Sequence, residues 1–269
     1  MTDTQKNRIV KVVLFCGGHG IRMRDYSEKI PKPMVPIGPR PIIWHVMKYY
    51  SHFGYHDFIL CLGYKADYIK NYFLNYNEAS SNNFILSDSG KSVNLLNTDI
   101  DNWKITFVDT GYSSNIGERL TAVKSYLKDE DIFMANYSDT LTDCHLPDHI
   151  DDFSRSNNCV GSFLTVKPNF THHVINDNNR GFVTEIYDSQ KSGILINGGY
   201  FIFKKEIFNY INPGDDLIIE PFNRLIKFGG LRTYRHEGFW ASMETFKDRM
   251  ILNDLQVQSQ APWELWKNK

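Results

Sequence analysis

No run of apolar residues in this 269-residue chain is long enough to span a bilayer, and Met1 to Arg8 are polar, without the apolar stretch of a secretion signal. The expectation is a soluble, cytoplasmic protein that neither crosses nor coats a membrane. Charge of one sign is also missing. With 30 basic against 31 acidic residues, a chain-wide basic surface is excluded, and with it nucleic-acid binding by phosphate neutralisation. Cysteine is scarce: Cys16, Cys61, Cys144 and Cys159 stand in or beside apolar runs, spaced neither as metal ligands nor as a disulfide framework. They read as small buried hydrophobes. No Ser-His-Asp or Cys-His grouping has supporting surroundings, so covalent catalysis lacks a candidate nucleophile. No repeat or shift in composition marks a second domain, and residues 1–269, 42% apolar, read as one domain with a substantial core.

What is present is concentrated between residues 13 and 34. The β-branched run through Ile9, Val10, Val12, Val13 and Leu14 predicts a buried strand that stops at a glycine-dense turn. Gly17, Gly18 and Gly20 carry no Cβ, so successive N–H groups can converge on an anion, and Arg22 and Lys32 add fixed positive charge. His19 sits inside this loop, where it would lend a hydrogen bond or shape the turn. A nicotinamide dehydrogenase is disfavoured, because the glycines are not spaced Gly-x-Gly-x-x-Gly.

Beyond the loop, strands and helices alternate. Pro41 opens a helix that Gly54 closes, and a strand over 57–62, a helix over 66–76, a strand over 104–108, a helix over 120–127 and a strand over 131–137 follow. Such alternation implies right-handed crossovers and a mostly parallel α/β sheet with helices on both faces, whose ligands lie at the strands' carboxyl ends. Strands over 160–166, 181–187 and 194–203 are less clearly separated by helices, which suggests antiparallel additions and a mixed sheet. Helices over 216–228 and 244–257 complete it. Residues 77–103, rich in Asn, Ser and Asp, read as an excursion or hairpin, either a lid or a subunit contact.

Two carboxylates stand out. Asp139 follows an apolar strand directly, flanked by Tyr137, Ser138 and Thr140, so it emerges at the sheet's carboxyl edge. Glu244 comes just after the segment Gly238-Phe239-Trp240-Ala241-Ser242-Met243, and the helix expected there would direct it from its first turn. One or two carboxylates plus substrate phosphates is the usual magnesium arrangement. Read singly, Asp139 could equally cap a turn and Glu244 complement a helix dipole.

These residues together resemble the sugar-1-phosphate nucleotidylyltransferases, and within them the cytidylyltransferases that act on glucose 1-phosphate. The resemblance runs nearly end to end. It rests on Phe15-Cys16-Gly17-Gly18-His19-Gly20-Ile21-Arg22, on Pro31-Lys32-Pro33-Met34-Val35-Pro36-Ile37-Gly38 and on Pro41-Ile42-Ile43-Trp44-His45. It continues through Val108-Asp109-Thr110-Gly111, Ser113-Ser114, Gly117-Glu118-Arg119-Leu120, Asn197-Gly198-Gly199-Tyr200-Phe201, Glu220-Pro221, Gly238-Phe239-Trp240 and Ala261-Pro262-Trp263.

The resemblance implies a Rossmann-like, GT-A-like nucleotide domain in which Phe15 to Ile21 bind the nucleotide with Ser114, Arg119 and Ser138. Arg119 would lie near the base and set a preference for cytidine. Arg22, Lys32 and Asp139 would be catalytic, Asp139 and Glu244 would hold Mg2+, and Asn197, Gly198, Glu220 and Lys191 would face the sugar. The implied partners are CTP and a phosphorylated small-molecule acceptor, and the implied assembly is a homo-oligomer serving surface-polysaccharide synthesis. Alternatives are a homologue using UTP or dTTP, and a non-catalytic regulator that binds nucleotide sugar. Five departures from the family pattern bear on this: Ile21 stands for a Thr, Ser138 for a Gly, Glu244 for an Asp, residues 184–191 for a segment containing Glu-Lys-Pro, in which Lys191 alone is a cation, and His172-His173-Val174 for a stretch carrying Phe-Gly.

Overall fold

The computed structural model describes residues 10–18, 30–168 and 173–267. Strand β1 (Val12–Phe15) is wholly buried, and beyond it a short hairpin, β2 (Pro36–Ile37) and β3 (Arg40–Pro41), leads into helix α1 (Ile42–His52). The helix ends at Phe53, and Gly54 follows in the left-handed conformation expected of a C-terminal glycine (φ +91°). Next come β4 (Asp57–Leu62) and α2 (Ala66–Leu74). The expected excursion is a short helix, α3 (Glu78–Ser81), and a hairpin of β5 (Phe84–Ser87) with β6 (Ser92–Leu95).

The second half begins with β7 (Lys104–Asp109), α4 (Ile116–Ala122) and β8 (Ile132–Asn136). Helix α4 starts earlier than the apolar spacing predicts, because Asn115 and Glu118 form a reciprocal capping box; a 3-10 turn over Lys124–Leu127 replaces the rest of the expected helix. Then follow β9 (Thr140–Thr142), α5 (Leu146–Ser154), β10 (Gly161–Val166), the hairpin β11 (His173–Asp177) with β12 (Val183–Asp188), and β13 (Ile196–Lys204). The last elements are α6 (Glu220–Ile226), β14 (Leu231–Arg235), β15 (Trp240–Ser242) and α7 (Phe246–Val257). Strands β9, β14 and β15 and helix α5 have no counterpart among the elements expected from the sequence.

One seven-stranded sheet, in the order β14-β10-β13-β8-β1-β4-β7, organises the chain. Four of its six ladders are parallel; β13 runs against both of its neighbours. Side chains of β1 alternate between two apolar clusters, Val12 and Leu14 on one face and Val13 and Phe15 on the other, so the sheet is covered on both sides. Strand β1 is where the chain changes direction: β4 and β7 extend the sheet one way and β8 the other. A crevice opens past the carboxyl ends at such a switch point.

Candidate active site

That crevice is a cleft of about 870 Å³ at the ends of β1 and β8. Phe15, Cys16, Gly17, Gly18, Ser114, Arg119, Ser138 and Asp139 line it, as do Lys32, Asn197 and Glu244. His19, Gly20, Ile21 and Arg22 lie outside the described residues. Glu220 and Lys191 are not brought to the cleft. The Glu220 carboxylate accepts the N–H of Asp216 (2.9 Å) at the start of α6, and Lys191 is exposed in a 3-10 turn after β12. Gly198 is enclosed: its carbonyl accepts the indole N–H of Trp240 (2.8 Å), and a Cβ there would meet the Leu164 carbonyl at 3.1 Å.

Lys32 lies on a 3-10 turn between Pro31 and Pro33, which directs it across the cleft mouth. Its ammonium stands 2.6 Å from Asp139 Oδ2 and 3.2 Å from Glu244 Oε2. Register explains how carboxylates 105 residues apart in sequence meet. Strand β15 pairs antiparallel with β9, Ser242 opposite Thr140, and the Met243 N–H donates to the Asp139 carbonyl (3.0 Å). Glu244 is therefore delivered by a ladder, and this corrects the expectation that a helix aims it. Helix α7 begins at Phe246 with Thr245 as its cap, and the Glu244 N–H donates to the capping carboxylate of Asp248 (3.1 Å).

Ser138 shows why a glycine suits the position before Asp139. Its φ is +66°, in the left-handed region that costs an L-residue energy. The side chain offsets part of this by donating from Oγ to the Phe15 carbonyl (2.8 Å), while its N–H donates to Asn136 Oδ1 (2.9 Å). The end of β8 is thus tied to the end of β1.

Burial works against charge on Lys32, but Asp139 and Glu244 outweigh it and hold its pKa above the ordinary lysine value. Burial pushes the Asp139 carboxyl above its usual range, with Glu244 adding to the rise and Lys32 opposing it. The Cys16 thiol is pushed up to about 12, chiefly by burial, so at neutral pH it is no nucleophile.

Asp139 and Glu244 would supply two of the oxygen ligands a magnesium ion takes, where the lysine ammonium now lies between them. Among the described residues no group of three or more His, Cys, Asp or Glu is arranged to hold a metal, so the remaining ligands would come from water and substrate.

Nine lining residues were not singled out from sequence as site residues, Tyr137, Thr140, Asp216 and Trp240 among them. Tyr137 accepts from Asn197 Nδ2 (2.9 Å) and packs under Gly199, where a Cβ would lie 2.5 Å from its ring; Asp216, Trp240 and Thr140 complete that wall. Tyr137 and Thr140 flank Asp139 in sequence, the one signal that could have found them. Ser114 donates from Oγ to the Thr110 carbonyl (2.6 Å) and closes the loop after β7.

The fold and the cleft are those of a nucleotidyltransferase. The chain matches the nucleotidyl transferase family over residues 11–240 and belongs to it. It is 34% identical over 261 residues to the probable glucose-1-phosphate cytidylyltransferase of Bacillus subtilis, covering 96% of this chain and 100% of that one. It is 35% identical over 260 residues to the glucose-1-phosphate cytidylyltransferase of Salmonella typhimurium, with the same coverage. Among solved structures, the UTP-bound UGPase of Acinetobacter baumannii superposes with a TM-score of 0.69 at 18% identity, covering 97% of this chain and 98% of that one; it shares the fold. No helix among the described residues is long and apolar enough to cross a membrane.

Proposed function

We propose that this nucleotidyltransferase moves CMP from CTP onto a sugar 1-phosphate, glucose 1-phosphate or a variant of it, yielding a CDP-sugar for surface-polysaccharide synthesis in the cytoplasm. The observation that carries the reading is the convergence of Lys32, Asp139 and Glu244 beside Gly17 and Gly18 in one cleft. The chain's identity to cytidylyltransferases across their whole length supports CTP as the donor.

The reaction needs no protein nucleophile. A phosphate oxygen of the acceptor forms a bond to the α-phosphorus in line with the bond to the bridging oxygen, which breaks and leaves with its electron pair as pyrophosphate. Backbone N–H groups of the glycine loop orient the triphosphate, and Lys32 moves positive charge towards it as negative charge develops. Asp139 and Glu244 would hold magnesium, which neutralises phosphate charge when bound. Tyr137, Asn197 and Asp216 form the polar wall where the acceptor's hydroxyls would be read.

The test is pyrophosphate release across CTP, UTP, dTTP and GTP with a set of sugar 1-phosphates and magnesium. CTP with glucose 1-phosphate or a close relative is expected to turn over fastest. A preference for UTP or dTTP would reassign the donor, and CTP binding without pyrophosphate from any acceptor would make the chain a binding protein. Mass in solution checks the expected homo-oligomer.

A further inference from the structure

Arg119 is 2% exposed at the floor of the cleft, and its guanidinium ties three strand ends together. One terminal nitrogen donates to the Leu62 carbonyl at the end of β4 (3.1 Å) and to Thr110 Oγ1 just past β7 (2.8 Å). The other donates to the Gly17 carbonyl just past β1 (3.0 Å). Thr110 Oγ1 donates onward to the Leu62 carbonyl (2.8 Å), and the Tyr64 N–H also reaches Gly17 O (3.3 Å).

The planar fork determines which residues can surround it. A Cβ on Gly17 would lie 2.0 Å from the guanidinium, and one on Gly63 would lie 2.8 Å from it and 2.7 Å from the Gly111 carbonyl. Neither glycine has a left-handed φ. They are needed for room, not for a turn, and the room is filled by Arg119.

We propose that Arg119 is a positioning residue of the nucleotide site: by holding the Gly17 carbonyl inward it turns the Gly18 N–H outward to the phosphates, and it does not read the base. The step follows from peptide geometry. In a trans peptide the C=O of one residue and the N–H of the next point in opposite directions, and no peptide among the described residues is cis. Gly18 is exposed and lines the cleft, and a Cβ there would meet nothing within 4 Å, so the space beside its backbone is open for a phosphate to approach. Helix α4, fixed by its capping box, holds the arginine in register with all three strand ends.

This inference rests on the nucleotide-binding reading of the cleft, and the experiment separates the two. Binding of inorganic tripolyphosphate, CTP and UTP is measured by calorimetry for the wild type, Arg119→Lys, Arg119→Ala and Thr110→Val. Lysine keeps the charge but cannot span the three acceptors, so all three ligands are expected to weaken together by about tenfold, with the ratio of CTP to UTP unchanged. Arg119→Ala weakens them further, and millimolar guanidinium restores part of the loss, which a merely structural lesion would not show. Thr110→Val, nearly isosteric, weakens all three by about threefold, and it decides the matter if the Arg119 variants do not fold. Unchanged tripolyphosphate binding in a folded variant, or a collapse confined to the CTP-to-UTP ratio, overturns the proposal. A wild-type protein that binds none of the three overturns the nucleotide site itself.

Discussion

At Lys32 one ammonium serves two carboxylates; at Asp99 one carboxylate serves two cations. The exposures are alike, 13% for Lys32, 14% for Asp139 and 14% for Asp99. Asp99 accepts from Arg40 (2.5 Å) and the Tyr76 hydroxyl (2.9 Å), with Lys48 at 3.6 Å, and the Arg40 guanidinium also donates to Ser81 and lies 5.3 Å from the centre of the Trp44 ring. This cluster clasps both ends of the excursion, at Ser81 and Asp99, to Arg40 on β3, Lys48 on α1 and Tyr76 just past α2. Its carboxylate is fully served and faces no cleft. The Lys32 cluster carries one negative charge in excess and opens on the cleft, with Glu244 38% exposed. Equal burial therefore does not mean equal purpose: an excess of buried carboxylate invites a further cation, whereas a saturated one locks chain segments together.

The largest expected effect cuts the first cluster. Lys32→Ala or Asp139→Ala should lower turnover by about a thousandfold or more while the far-ultraviolet circular dichroism stays native, and retained activity in either purified variant removes that residue from the mechanism. Without nucleotide, Lys32→Gln should bind Mn2+ more tightly than the wild type, since a competing ammonium is gone; the absence of Mn2+ binding by either protein would show that the carboxylates hold no metal.

Cutting the second cluster should do the reverse. Arg40→Met is expected to cost about 2 kcal/mol of stability in urea denaturation, with kcat unaltered. A parallel loss of activity would join the excursion to the site and erase the contrast.

Acid should strain the scaffold that both clusters share, through two buried imidazoles. His45 donates from Nε2 to the Ile37 carbonyl (3.0 Å) and accepts at Nδ1 from the Trp263 indole (3.3 Å), so both nitrogens are matched to the neutral ring. Burial lowers the pKa of His45 to about 4, and that of His149 to about 4 as well. A folded pKa below the unfolded value of about 6.5 means that stability is present above 6.5 and is lost as pH falls towards 4, by about 3 kcal/mol for each ring. Denaturation midpoints at pH 7, 5.5 and 4 check the sign. A flat profile would show that neither ring is neutral in the fold.

The smallest effect is expected of Glu244→Asp. It keeps the charge one methylene short and should preserve activity within about threefold. Total loss would show that the longer side chain is matched to its site.

Much of the scaffold was readable in order. Asp57–Leu62 is a strand with the bounds its apolar run predicts, and Gly54 ends α1 where a terminal glycine belongs. Strand β14, whose residues alternate poorly, and β15, three residues long, have too little local pattern to announce themselves; both exist because a neighbour offers a ladder. Helix α5 buries only Leu146, His149 and Phe153, a narrow stripe in an acidic segment. At the site, the meeting of Gly17, Gly18 and Asp139 at the strand ends was legible, because strand ends and turn chemistry are local signals, and Lys32 lies in the same cleft. The place of Glu244 was misread, because a helix start was nearer in sequence than the strand pair that positions it. Glu220 and Lys191 belonged to recognisable segments that the fold leaves outside the cleft.

Alternation of short apolar runs with helical stripes sufficed to determine a layered α/β chain with its chemistry at the carboxyl edge, since burial of both sheet faces depends only on which residues are apolar and how they are spaced. Which charges meet was decided by tertiary structure alone. The β9–β15 register brings Glu244 to Asp139, and Arg119 finds its acceptors on three separate strands, because backbone hydrogen bonds between segments remote in sequence set distances that no local pattern encodes.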